Sequence, residues 1–301
     1  KEQNMRSIMI ATTQMSCSWD RDENVAKACH LVREAADQGA QLVVLQELFE
    51  TPYFCISIDN KHFKQARPFK NNETIKRIAE VAKEKGVVVP VSFYEVDGES
   101  YYNSLAMIDA DGEILGLYRK SHIPDFPGYE EAHYFSPGNT GFKVFKTRFG
   151  NIGTGICWDQ WFPEAARAMA MLGAEIIIYP TAIGSEPAYP DTDSKSHWQQ
   201  TMQGHAAANL VPIVAANRIG KESDGKDEIN FYGGSFIANH HGEKVAETSS
   251  DQQEIKLSSF NLDKIANERL TWGVFRTRRE DLYGSLLEPA PKSLIKKVFN
   301  Q

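Results

Sequence analysis

The 301 residues are 42% hydrophobic and 24% charged, an ordinary globular balance with enough apolar material for a sizeable core. The net charge of −7 argues against a nucleic-acid surface and suits a cationic small-molecule substrate. No apolar run approaches a membrane span, and the four cysteines, 17, 29, 55 and 157, lack the pairing of a secreted disulfide framework or a zinc motif.

Ile8 to Gln14 reads as a strand, followed by an amphipathic helix from Arg21 to Gln38 that Gly39 closes. Leu42 to Leu45 is a short β-branched run with Glu47 just beyond it. A helix from Thr74 to Lys85, stopped by Gly86, leads into a strand from Val87 to Tyr94. Tyr102 to Ile108 and Ile114 to Tyr118 flank Asp111-Gly112, a hairpin signal, and Lys120 follows the second arm. Phe142 to Phe145 and Ile152 to Ile156 are strands, the second delivering Cys157. Pro163 suits the first turn of a helix running to Leu172. Ile176 to Tyr179, Val211 to Ala215, Ser235 to Ala238 and Lys244 to Glu247 complete the expected strands. Without linker or repeat, residues 1–301 read as a single α/β domain. The tail from about 282 is a candidate oligomer contact. The polar N-terminus, Lys1 to Ser7, has no signal-peptide core, and a cytoplasmic setting is expected.

Loops at strand ends of an α/β domain gather active-site groups. Glu47, Lys120 and Cys157 each follow a strand closely. Singly, each has a plainer reading: a solvated glutamate, a surface lysine, a small core thiol. The segment Asn151-Ile-Gly-Thr-Gly-Ile-Cys157-Trp-Asp-Gln-Trp-Phe-Pro163 shifts the balance. Cys157 stands at a strand-to-helix junction that exposes a nucleophile, where a nearby helix N-terminus favours the thiolate. The Trp158 amide there can face an oxyanion.

Three segments, Leu42-Val-Val-Leu-Gln-Glu47, Tyr118-Arg-Lys120-Ser-His-Ile-Pro124 and Gly155-Ile-Cys157-Trp-Asp-Gln-Trp161, resemble the nitrilase (carbon–nitrogen hydrolase) superfamily over nearly the whole chain. The resemblance implies a four-layer α-β-β-α sandwich. It implies Glu47 as general base, Lys120 as the cation beside the oxyanion and Cys157 as nucleophile, with no metal or organic cofactor. It also implies a homo-oligomer, a dimer or larger. A second glutamate positions substrate in many members, and Glu131 matches it better than Glu130.

An amide carbon is a poor electrophile, so a strong nucleophile, an oxyanion partner and a proton donor are all required. A carboxylate takes a thiol proton only if burial beside another carboxylate raises its pKa. Loss of either Lys120 or Cys157 is expected to abolish turnover with the fold largely intact. Further stretches, including Pro180-Thr-Ala-Ile-Gly-Ser-Glu-Pro187 and Ala215-Ala-Asn-Arg218-Ile-Gly220, are similar to the branch acting on carbamoyl amines. That similarity implies hydrolysis of N-carbamoylputrescine to putrescine, carbon dioxide and ammonia. Tyr53, Trp158 and Trp161 are candidates to line the butyl chain, with Tyr129 beside them. Glu186, and less so Asp191 or Asp193, are candidates to meet the ammonium. The alternative substrates are N-carbamoyl amino acids such as N-carbamoyl-β-alanine, or omega-amides. Carbamoyl acids would need a basic clamp, for which Arg218 is a candidate, although it reads equally as a structural residue behind the site.

Two rivals stand beside this reading. One is a cysteine hydrolase with His122 or His133 as base; the other is a non-catalytic scaffold, against which the intact Glu, Lys and Cys set argues. Gly153-x-Gly155 lacks a third glycine and is no dinucleotide fingerprint. His240-His241 reads as a turn whose adjacent rings diverge too far to ligate a metal together. His197 and His205 lie on an expected helix as packing residues, and Arg276 to Arg279 is a basic surface cluster.

Overall fold

The structure, a computed structural model, describes residues 5–295. One layer runs Glu254–Asn261, Ser7–Gln14, Leu42–Val44. It continues through a parallel bridge between Leu42 and Val88 into Val89–Asp97, Ser100–Ile108 and Ile114–Arg119. The other runs Lys244–Glu247, Phe236–Ala238, Ile213–Ala216, Ile176–Pro180, Gly150–Thr154, Lys143–Thr147. Ile8, Ile10, Leu42, Val44 and Leu105 of the first layer meet Ile152, Ile176, Ile178 and Val214 of the second in a shared apolar core. Helices Arg21–Asp37 and Glu73–Lys85 cover the first layer's outer face. Pro163–Met171 and Lys195–Asn209 cover the second. This is the expected α-β-β-α order.

The period of two along Ile176–Pro180 explains the layering. Ile176 and Ile178 point between the sheets, whereas Ile177 and Tyr179 point at the helices. The helices begin where a polar side chain satisfies a free amide. Asp20 accepts from the Glu23 N–H and Asn72 from the Ile75 N–H, both at 3.1 Å, caps worth about 1 kcal/mol each. Gly86 ends the second helix in the left-handed region at φ +65°.

Three strands escape the alternation test. Ile219–Ser223 and Glu228–Tyr232 form a hairpin. Glu254–Asn261 pairs antiparallel along all of Ser7–Gln14. Its Lys256, Ser258 and Ser259 dilute the apolar pattern, and its partner lies some 250 residues away. The strand expected from Val211 starts at Ile213, because Pro212 has no N–H for the ladder. Cys157 opens a 3-10 turn, Cys157–Trp161, so the helix proper begins only at Pro163. The tail forms a 3-10 segment, Glu280–Leu287, with Leu286 and Leu287 exposed. Residues 1–4 and 296–301, at the ends of the expected polar N-terminus and tail, lie outside the described residues. No helix among the described residues is long and apolar enough to cross a membrane.

Candidate active site

Strands Leu42–Val44, Ile114–Arg119, Gly150–Thr154 and Ile176–Pro180 all end at one edge, and the residues just beyond them converge. Glu47 sits on a turn in which Leu48 takes φ +52°, a conformation that costs a side-chain-bearing residue roughly 1–2 kcal/mol. The surroundings hold it there. The Leu48 N–H donates to Ser92 Oγ at 2.8 Å. The buried Arg218 guanidinium donates to the carbonyls of Glu47 (3.1 Å), Leu48 (2.8 Å) and Thr51 (2.8 Å). Arg218 also pairs with Glu222 at 3.1 Å, and Glu222 accepts the Tyr53 N–H. Arg218 is therefore committed to the backbone and to Glu222, not free to clamp a substrate carboxylate.

Lys120 lies fully buried between two fully buried carboxylates, its Nζ 2.9 Å from Glu47 Oε1 and 2.6 Å from Glu131 Oε1. Asn103 Nδ2 donates to Glu47 Oε1 at 2.6 Å, and Tyr53 OH to Glu131 Oε2 at 2.6 Å. Glu47 Oε2 is buried without a hydrogen-bond partner among the described residues. An unpaired buried acceptor marks where an incoming proton is best received. Burial raises the Glu47 pKa, and Glu131 adds to the rise against the pull of Lys120. Burial alone would lower the Lys120 pKa, but Glu131 and Glu47 outweigh it and hold the ammonium charged. Glu131 is thus the second glutamate of the cluster. Glu130 is only half-buried and its N–H bonds the Cys55 carbonyl at 2.8 Å.

Cys157 takes φ +41° at its elbow. A side chain at Gly155 would come within 2.5 Å of the Tyr179 ring, so glycine is required for the backbone to pass. Cys157 Sγ is 3.7 Å from the Ala182 carbonyl and 4.0 Å from Gln160 Nε2. Gln160 is aimed by Thr181 Oγ1 (3.0 Å) and Trp198 Nε1 (2.8 Å), both donating to its Oε1. The thiolate expectation is corrected here. Burial, then Glu47, push the Cys157 pKa well up, and Lys120 only partly opposes them. The helix at Pro163 begins six residues on, too far for a dipole effect confined to one turn. The resting group is a thiol whose proton must leave as it attacks. Trp158, in the first turn of its 3-10 segment, has an amide free of intrahelical acceptors.

The remaining candidates divide. Tyr53 and Tyr129 are buried in the aromatic wall beside the cluster, with ring centroids 5.8 Å apart. Trp158 is half-buried, 5.5 Å from Phe126 and 6.1 Å from Trp161. Trp161 turns toward His197 at 4.8 Å, packing on the outer helix. Glu186 is half-buried and burial raises its carboxyl to about 7; its charge is felt by Tyr129 and Tyr232, which also feel Cys157. Asp191 and Asp193 are exposed, and Asp193 accepts the Lys195 N–H at the start of a helix. His122 is engaged by Asp159 at 2.7 Å and stacked on Phe162, while His133 bonds Asn60 on the surface. Neither touches Cys157. Asn103, Gln160 and Glu222 carry no role of their own in the sequence; of the two readings of Arg218, substrate clamp or structural residue behind the site, the second is the one its contacts match. The polar pair Asn103-Ser104 inside the run Tyr102 to Ile108 is the signal that was there to read.

Exchanging Glu47 for Gln separates the two candidate bases. If Glu47 moves the proton, ammonia release falls by roughly 10²–10⁴-fold; turnover near the parent rate assigns the proton to a histidine.

The carbon–nitrogen hydrolase family model matches residues 9–269. The N-carbamoylputrescine amidase of Arabidopsis thaliana is 56% identical over 290 residues, 95% of this chain and 97% of its own. The citrullinase of Francisella tularensis subsp. tularensis is 47% identical, covering 94% of this chain and 99% of its own. The crystal structure of a carbon–nitrogen hydrolase from Helicobacter pylori G27 superposes with a TM-score of 0.89 at 37% identity, over 95% of this chain and 100% of that one.

Proposed function

The chain belongs to the carbon–nitrogen hydrolase family, and from that premise we propose that it hydrolyses N-carbamoylputrescine to putrescine, carbon dioxide and ammonia through a covalent Cys157 intermediate. The observation that carries the chemistry is Lys120 locked between Glu47 and Glu131 beside the thiol, with one oxygen of Glu47 unpaired. Glu47 Oε2 takes the Cys157 proton as Sγ bonds to the ureido carbon. Lys120 Nζ and the Trp158 amide face the oxygen on which negative charge develops. The protonated Glu47 returns the proton to the departing nitrogen, and the carbon–nitrogen bond breaks to leave a thioester-like adduct. Glu47 then deprotonates a water that attacks the adduct; the carbon–sulfur bond breaks, Glu47 returns the proton to Sγ, and the carbamic acid so formed decomposes to carbon dioxide and an amine or ammonia. One water is consumed in all.

The substrate assignment rests on charge at the mouth of the site together with the relatives' names. Arg218 is occupied by backbone carbonyls, whereas Glu186 offers a carboxylate to an ammonium. Tyr53, Tyr129 and Trp158 give the intervening methylenes an aromatic wall. The test is ammonia release from N-carbamoylputrescine beside N-carbamoyl-β-alanine, citrulline and glutamine. The highest kcat/KM is expected for N-carbamoylputrescine, and a preference for any of the other three overturns the assignment. Glu186 makes the choice pH-dependent. Its carboxyl, raised to about 7, ionises between pH 6 and 8 while the substrate ammonium stays charged, so KM falls as pH rises. Glu186→Gln should raise KM and flatten that profile; an unchanged profile removes Glu186 from recognition.

The same reading includes a single hydrolase domain in a cytoplasmic homo-oligomer, the contact formed by the exposed Leu270, Trp272, Leu286 and Leu287, since a monomer rarely leaves so much apolar surface wet.

A further inference from the structure

His240 and His241 lie in the expected turn, between Phe236–Ala238 and Lys244–Glu247, but their rings do not diverge as expected. Asn239 ties that turn off: its Oδ1 accepts the His241 and Glu243 amides at 3.0 Å each, and its carbonyl accepts the Gly242 amide at 2.9 Å. Gly242, at φ +84°, is pressed against Gln203, whose Nε2 donates to its carbonyl at 3.0 Å. Both rings are thereby turned to one side, their centroids 4.1 Å apart. Each presents Nε2 to a different oxygen of Glu268, on the helix Leu262–Trp272; the His240 contact is 2.8 Å.

We infer that His240, His241 and Glu268 form a binding site for a divalent cation of zinc type, which would fasten the helix Leu262–Trp272 to the turn at the sheet edge. One ligand atom from each residue lies within 4.8 Å of the other two. Zinc bonds of about 2.0–2.1 Å place tetrahedral ligands about 3.4 Å apart, so small side-chain rotations admit the ion. Two imidazoles and one carboxylate suit zinc. With the His241 side chain 51% exposed, water can complete the coordination. The backbone supporting the turn is already fixed, so binding need not first order a loop. The site is independent of the hydrolytic centre. Ala238 pairs with Ile213 and Phe236 with Ala215, so the turn lies at the end of the sheet opposite Thr181 and Cys157.

Zinc chloride titrated into the metal-stripped full chain tests this by calorimetry and thermal melting. One equivalent should bind and raise Tm, because the ion binds only the folded arrangement. His241→Ala and, separately, Glu268→Gln should each weaken binding by about tenfold or more and erase the Tm rise, with ammonia release unchanged. Cobalt in place of zinc should give a spectrum without a sulfur-to-metal band. Undiminished affinity in either variant, no binding by the parent chain, or a thiolate band placing the ion on a cysteine overturns the assignment.

Discussion

Replacing Cys157 by alanine is expected to lower ammonia release by at least about 10⁴-fold while leaving the urea midpoint of unfolding nearly unchanged. The thiol is buried, yet its polar contacts are long, 3.7 Å to the Ala182 carbonyl and 4.0 Å to Gln160 Nε2, so little stability goes with it. The positive φ remains for alanine as for cysteine, and the strain is carried over, not added. Serine tests the nucleophile more finely. Its hydroxyl fills nearly the same space, but a carboxylate is far too weak a base to deprotonate it, even with its pKa raised by burial, so Cys157→Ser should be almost as inactive. A purified variant of either kind with near-normal turnover would sink the proposed mechanism. Mass spectrometry of the parent chain trapped with substrate should find the added mass on Cys157.

Lys120→Ala should abolish turnover and also destabilise the protein, which departs from the expectation of an intact fold. The ammonium is enclosed with two carboxylates at 2.9 and 2.6 Å. Removing it leaves their charge buried without a cation, a change that costs about 3–5 kcal/mol where buried pairs have been broken. The loss should depend on pH in a definite direction. Without Lys120, the folded-state pKa of Glu47 rises further above its unfolded value, and the folded state then binds more protons than the unfolded one. Stability is therefore greatest below the unfolded carboxyl pKa of about 4.3 and falls as pH rises toward the raised folded value. Urea titrations at pH 5 and 8 measure this. The parent chain should lose less between those two values than Lys120→Ala does. Placing Lys120→Ala in a Glu47→Gln, Glu131→Gln background should recover much of the deficit, because no carboxylate is then left unpaired. A deficit independent of pH and unrelieved by that background would mean that lost packing, not charge, explains it.

The parts legible in the sequence were those with local causes. The continuous apolar run Ile176 to Tyr179, the Asp111-Gly112 turn and the glycine stops of the first two helices fixed their elements to within a residue or two. Glu47, Lys120, Glu131 and Cys157 could be singled out because each lies in a distinctive short segment, and the structure brings their side chains into one cluster. What escaped depends on distant pairing. Glu254–Asn261 becomes a strand because Ser7–Gln14 lies beside it. Glu222 joins the site through Arg218, whose guanidinium reaches back to Glu47 and Leu48. Gln160 stands in the Cys157 segment, but its role depends on Thr181 and Trp198, which hold it from further along the chain. The His240-His241 turn was legible from Gly242; that its two rings lie to one side was not, because Asn239 sets the shape of the turn.

The Arg218 clamp has a consequence in time. Its hydrogen bonds to Glu47 and Leu48 span 171 and 170 residues, and its salt-bridge partner Glu222 comes later still. A chain emerging from the ribosome presents base, lysine and thiol well before this clamp. Until Arg218 and Glu222 have emerged, the Ser92 hydroxyl holds the Glu47–Thr51 turn without the three carbonyl contacts of the guanidinium. Hydrolysis should therefore switch on only after residues 218–222 have left the ribosome and can close over the Glu47–Thr51 turn.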